Sequence, residues 1–259
     1  MGSKPYGKLA IAAAYAKYYL RAKNKHGVHP PTVYAIADKV LGAAYKIKHQ
    51  DIESERSRLK KSKQVISFTD YGKYGSIFKK KIADIANTAI KPKKYAQLIS
   101  QLVAHHGAKD VLELGTSLGI TTAYLARNEG TEIHTMEGDK TVADIAQHIW
   151  NQLGLQNIKC TVGNFDATLD QLQGKTFDVI YIDGNHKLEP TLRYFEVLQQ
   201  HAIAKTLFIL DDIHYSKDME NAWDTIKEHS TTTSTIDLFF IGLVYIDSSL
   251  SKQHFTLRY

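Results

Sequence analysis

Residues 110–119, Asp-Val-Leu-Glu-Leu-Gly-Thr-Ser-Leu-Gly, constrain the fold of this 259-residue chain more than any other stretch. Val111, Leu112 and Leu114 form the short apolar run of a parallel strand covered on both faces. Gly115 and Gly119 then let the backbone turn tightly and approach a ligand. Residues 120–126 start a helix whose first free N–H groups face that turn. Strand, glycine turn and helix in this order predict a nucleotide-type pocket.

The alternation continues downstream. Apolar strands are expected at 111–114, 132–136, 158–162, 177–182 and 206–210, with helices between them such as 141–153 and 189–201. Repetition at this spacing implies a parallel sheet with helices on both faces. After a helix at 218–229, β-rich runs at 231–236, 243–246 and 254–259 should supply an antiparallel edge. The expected fold is α/β and Rossmann-like: a doubly wound, mostly parallel seven-stranded sheet with an antiparallel C-terminal edge, preceded by an N-terminal helical cap. The domain division follows as residues 1–92, a basic helical cap and lid, and 93–259, the cofactor-binding domain.

Charge separates the two regions. Residues 1–95 carry 21 Lys and Arg against 6 Asp and Glu, a balance of +15, and the remainder carries −9. The basic part is read first as the solvated face of helices. Helices are expected at 8–23, 33–48 (capped by Thr32), 51–63, 79–87 and 93–105. His26 and His29 lie in a turn without other metal-ligand types at suitable spacing, so they are read as turn residues. The glycine-interrupted aromatic loop 68–76 looks built to cover something. Tyr15, Tyr18, Tyr19, Tyr34 and Tyr45 offer aromatic surface for a homodimer through the N-terminal helices. The single Cys160 reads as a strand thiol of a reducing compartment, and with no membrane span or signal peptide apparent, a cytoplasmic location is expected.

In a sheet of this kind ligands bind beyond the carboxyl ends of the strands. After the first strand come Gly115, Thr116, Ser117 and Gly119. After the second stands Glu137, where a carboxylate accepts hydrogen bonds from ribose hydroxyls. Gly163, Asn164 and Phe165 follow the third and offer an amide and a ring to a purine. Asp183, Gly184, Asn185 and His186 follow the fourth, and Asp211, Asp212 and His214 the fifth. The first turn lacks the second glycine of Gly-x-Gly-x-x-Gly, which a pyrophosphate requires. An adenosine without a pyrophosphate suits it.

Over residues 93–247 these motifs resemble class I S-adenosylmethionine-dependent methyltransferases. Glu113-Leu-Gly-Thr-Ser-Leu-Gly119 is similar to the first motif, Met136-Glu-Gly-Asp139 to the ribose-binding acidic position, and Phe177-Asp-Val-Ile-Tyr-Ile-Asp-Gly-Asn-His186 to the fourth-strand motif. Asp183-Gly-Asn-His186 with Leu210-Asp-Asp-Ile-His214 looks like the small-molecule O-methyltransferase branch, related to the catechol and caffeoyl-CoA enzymes. The resemblance implies that S-adenosyl-L-methionine is bound by Glu113, Gly115, Thr116, Ser117, Gly119, Glu137, Gly163, Asn164, Phe165 and Asp183. It also implies a divalent cation, expected to be Mg²⁺, on Asp183, Asp211 and Asp212. The family's commoner pair after the fifth strand is Asp-Asn, and this chain has Asp-Asp.

The expected acceptor is a small hydroxylated molecule, with Asp183, His186 and His214 as catalytic candidates. The competing mechanism uses His186 or His214 as a metal-free base for transfer to O, N or C. A nucleic-acid substrate gripped by the basic segment is a further alternative. It is disfavoured because Asp-Gly-Asn-His stands where amino-directed base methyltransferases carry Asn/Asp-Pro-Pro-Tyr/Phe.

Overall fold

A computed structural model describes residues 3–46, 48–73 and 75–259. The chain divides into two compact units, Met1–Gly42 with Thr176–Tyr259, and Ala43–Lys175.

The first unit opens with α1 (Lys8–Arg21) and α2 (Pro31–Ala35). Between them a 3₁₀ turn at Lys25–Gly27 is capped by the Asn24 side chain, so His26 and His29 do lie in a turn region. The single helix expected over 33–48 is interrupted. Pro31 occupies the first helical turn, a position where its missing N–H costs nothing, so Thr32 lies inside the helix and not at its cap. A π-helical turn follows at Ile36–Leu41, and Ala44–Lys46 is 3₁₀. Residue 47 lies outside the described residues.

The second unit contains α3 (Gln50–Lys61), β1 (Val65–Asp70), β2 (Ser76–Lys81), α4 (Ile82–Thr88), α5 (Lys93–His106), β3 (Asp110–Leu114), α6 (Ile120–Ala126), β4 (Glu132–Glu137), α7 (Lys140–Gln152), β5 (Ile158–Val162) and α8 (Phe165–Thr168). Strands β3, β4 and β5 run parallel in that order, with Leu112 beside His134 and Thr135 beside Cys160. Val111, Leu112, Leu114, Ile133, Met136 and Trp150 form the buried centre of this layer.

Residues 65–70 and 76–81, where a loop at 68–76 and a helix from 79 were expected, pair as an antiparallel hairpin of β1 and β2 in which Phe68 opposes Phe78; residue 74 lies outside the described residues. Strand periodicity explains the difference. Ile66, Phe68, Phe78 and Lys80 are the more covered positions, whereas Ile77, Lys79 and Lys81 are exposed. The lysine run hid that alternation.

The first unit resumes with β6 (Phe177–Ile182), α9 (Leu188–Leu198), β7 (Ala202–Asp211), α10 (Lys217–Glu228), β8 (Ser234–Asp237), β9 (Ile241–Tyr245) and β10 (Gln253–Thr256). β6 and β7 are parallel, β9 lies antiparallel between β7 and β8, and β10 is parallel to β8. Strands β3–β5 and β6–β10 make eight sheet strands among the described residues, where seven were expected. The antiparallel element of the C-terminal edge is β9; β8 and β10 beyond it run in the same direction as β7.

Tyr15 and Tyr18 of α1 turn inward onto Phe239, with ring centroids 5.1 and 5.3 Å away. Tyr18 also donates its hydroxyl to the Leu257 carbonyl, and Arg258 lies 4.1 Å over the Tyr19 ring. Tyr15 and Tyr18 are therefore spent inside the unit, Tyr19 and Tyr34 stay exposed, and the side chain of Tyr45 lies outside the described residues. Among the described residues no helix is long and apolar enough to cross a membrane.

Candidate active site

In the unit 43–175 the turn after β3 is tied to the end of β4. The N–H groups of Gly115 and Thr116 both donate to the Met136 carbonyl, at 3.0 and 3.2 Å. Gly119 closes the turn at φ 74, and Trp150 Nε1 donates to its carbonyl at 2.9 Å. A Cβ at this position would meet Ala146 Cβ and Trp150 Nε1 at 2.7 Å, so both the dihedral and the space demand glycine. Ser117 holds φ 49, an unusual conformation for a residue with a side chain.

Two expected cofactor residues lie beneath this surface. Glu113 is fully buried, and its Oε2 accepts from Thr122 at 2.6 Å and from Thr135 at 2.7 Å. Thr135 therefore receives the hydroxyl of Thr116, 2.6 Å away and itself buried. These residues join strand, turn and α6. Cys160 is half-buried beside them, and burial pushes its thiol up to about 11.

Glu137 ends β4 as expected. Its Oε2 accepts the Ser117 N–H at 2.8 Å and its Oε1 the Asp139 N–H at 3.1 Å. Burial pushes its carboxyl up to about 7, against the lowering effect of the backbone N–H groups of Asp139 and Ser117. Gly163 is joined to this point by its N–H, which donates to the Glu137 carbonyl at 2.8 Å. Asn164 Oδ1 caps α8 through the Asp166 N–H at 3.2 Å, so its oxygen is engaged locally, and Phe165 is half-buried beside it.

In the unit comprising 1–42 and 176–259, the ends of β6 and β7 bring Asp183, His186 and Asp211 together, one ligand atom from each lying within 4.8 Å of the others. His186 Nε2 is 3.4 Å from Asp183 Oδ1, and Tyr181 donates its hydroxyl to Asp183 Oδ2 at 2.7 Å. Tyr181 was not singled out from the sequence. Strand period 2 placed it on the same face as Asp183. Asp212, expected as a third metal ligand, is not in this group; it holds φ 53 and gives its N–H to the Phe240 carbonyl at 2.7 Å. His186 holds φ 44, so three candidate site residues, Ser117, His186 and Asp212, occupy strained backbone of about 1–3 kcal/mol each.

His214 lies apart from that group. Its Nε2 is 2.9 Å from Asp237 Oδ2 and its Nδ1 3.6 Å from Glu220 Oε1, and its ring stacks on Phe239 at 5.1 Å. Burial opposes the charged ring, but hydrogen bonding and charge from Asp237 and then Glu220 raise its pKa overall. Carboxylates facing both nitrogens favour the protonated imidazolium. Asp237, 23 residues on, and Glu220, on the following helix, carried no signal that would have revealed this.

Residues 112–213 match the family model described as a methyltransferase domain. The catechol O-methyltransferase of Niastella koreensis is 31% identical over 126 residues, covering 46% of this chain and 55% of that protein. The chain thus spans about half the length of the curated relative it matches. An O-methyltransferase from Bacillus cereus, solved in complex with S-adenosylhomocysteine, superposes with TM-score 0.59 at 20% identity over 83% of this chain and 99% of its own. TomG from Streptomyces achromogenes, an O-methyltransferase of tomaymycin synthesis solved with S-adenosylmethionine, gives TM-score 0.58 at 16% identity over 80% and 93%. At these identities the likeness is one of fold. Residues 112–213 are thus similar to a methyltransferase domain, and the chain shares its fold with these O-methyltransferases.

Proposed function

We propose that the chain transfers the methyl group of S-adenosylmethionine to a hydroxyl of a small acceptor, assisted by a divalent cation. The observation that carries the cofactor reading is Glu137, a carboxylate at the end of the second parallel strand, bonded to the glycine turn inside the matched domain. Such a carboxylate accepts both ribose hydroxyls while the turn receives the methionine end. The named catechol relative supports a hydroxylated acceptor.

The donor set Asp183, His186 and Asp211 fits a divalent cation: two carboxylates and an imidazole. The nitrogen extends the candidates beyond Mg²⁺ to Mn²⁺, Fe²⁺ and Zn²⁺. Bound there, the cation would lower the acceptor hydroxyl's pKa. The chain's own residues do the rest. Tyr181 orients Asp183, and Glu137 with Ser117 positions the donor. In the transfer the acceptor oxygen bonds the methyl carbon as the carbon–sulfur bond breaks, S-adenosylhomocysteine leaves, and the acceptor's proton passes to base or water.

A second reading rests on the contact between His186 and Asp183, in which the carboxylate orients the imidazole as a metal-free general base. Labelled methyl transfer to a panel of catechols and phenols, with and without EDTA, decides. Transfer lost in EDTA and restored by added cation supports the first reading. Full activity in EDTA leaves His186 as the base. A chain that binds cofactor but methylates no hydroxylated acceptor overturns O-methylation.

A further inference from the structure

The hairpin of β1 and β2 has no role in the function described so far, yet it is fastened to the ribose end of the cofactor site. The Thr69 N–H donates to Asp139 Oδ2 at 2.8 Å. The other oxygen of Asp139 caps α7 through the Thr141 N–H at 2.7 Å, and the Asp139 N–H reaches Glu137 Oε1. Asp139 therefore links the hairpin, the helix start and the ribose carboxylate.

A second contact is steric. The ring of Tyr71 lies against Gly138, the residue after Glu137: a Cβ there would fall 2.6 Å from ring Cδ2 and 3.2 Å from Cε2. Gly138 does not adopt the left-handed backbone that usually calls for glycine. What it supplies is room for Tyr71. Tyr71 stays 40% exposed, so the contact with Gly138 leaves part of the residue open.

We infer that Tyr71 is a cofactor-binding residue, whose open ring face packs against the adenosine of the donor and stands in for the side chain that Gly138 lacks. The inference rests on the cofactor reading above. Aromatic contact with a nucleoside is tolerant of detail and loses about tenfold in affinity on truncation to alanine. The ring, and not its hydroxyl, makes the contact, so Tyr71→Phe should bind as the wild type does. Gly138→Ala would push the ring away and should cost a similar factor, and the double variant should lose no more than Tyr71→Ala alone.

Calorimetric titration of the full chain with S-adenosylhomocysteine tests this. Ile77→Ala, on the exposed face of the same hairpin, serves as the control. The expected result is an affinity about tenfold weaker for Tyr71→Ala and Gly138→Ala, non-additive in combination, with Tyr71→Phe and Ile77→Ala unchanged. Wild-type affinity in Tyr71→Ala, or an equal loss in Tyr71→Phe, would overturn the inference while leaving the cofactor reading intact. A wild-type chain that binds no S-adenosylhomocysteine would overturn both.

Discussion

Ser117 donates its N–H to Glu137 Oε2 at 2.8 Å, joining the glycine turn after β3 to the last residue of β4. Burial nonetheless leaves this carboxyl titrating near 7, above its ordinary 4.5. Two pH effects follow. The raised value means the folded chain holds the proton more tightly, so this group's contribution to stability is full below 4.5 and is lost as pH rises through 7. Cofactor affinity runs the other way, because only the ionised carboxylate accepts both ribose hydroxyls. S-Adenosylhomocysteine should bind about tenfold more tightly at pH 8 than at pH 6, with proton release at the lower pH. Titration in buffers of differing ionisation enthalpy measures both, and a flat profile would contradict the assignment.

Gly119 is the position where the turn tolerates least. Gly119→Ala combines a left-handed dihedral with collision against Ala146 and Trp150. It should destabilise the chain by roughly 2–4 kcal/mol, read by urea unfolding. A loss below about 0.5 kcal/mol would show that the turn relaxes freely.

The turn, the parallel strands and Glu137 were legible in the sequence because each is a local pattern: apolar runs, glycines and a carboxylate at a strand end. The hairpin was not, because its lysines masked a two-residue period that becomes visible only once β1 and β2 pair. Glu113 looked like a ligand contact because it stands in the motif; its burial depends on Thr122 and Thr135, one from a helix and one from the next strand. His214 was read as a catalytic candidate from its place after the fifth strand, and the carboxylates that face it come from a helix and from another strand.

His214 gives a test of its own. Its folded pKa is raised above 6.5, so the stabilisation from Asp237 and Glu220 is full below 6.5 and is lost as pH rises through the raised value. His214→Gln should cost about 1–2 kcal/mol at pH 6 and less at pH 9, measured by denaturant midpoints at the two values. An equal cost at both would mean the ring is held neutral.

Cation binding separates the grouped ligands from the neighbouring carboxylate. Mn²⁺ followed by electron paramagnetic resonance should bind at least about tenfold more weakly in Asp183→Ala, His186→Ala and Asp211→Ala, and less affected in Asp212→Ala. A larger loss in Asp212→Ala than in His186→Ala would return the site to the three aspartates.

The measurement closest to the central claim compares S-adenosylhomocysteine binding by the wild type and Glu137→Ala, with unfolding midpoints recorded in parallel. Removing a carboxylate that accepts two hydroxyls should weaken binding by about a hundredfold in a chain that still folds. Equal binding by the two proteins would contradict the account.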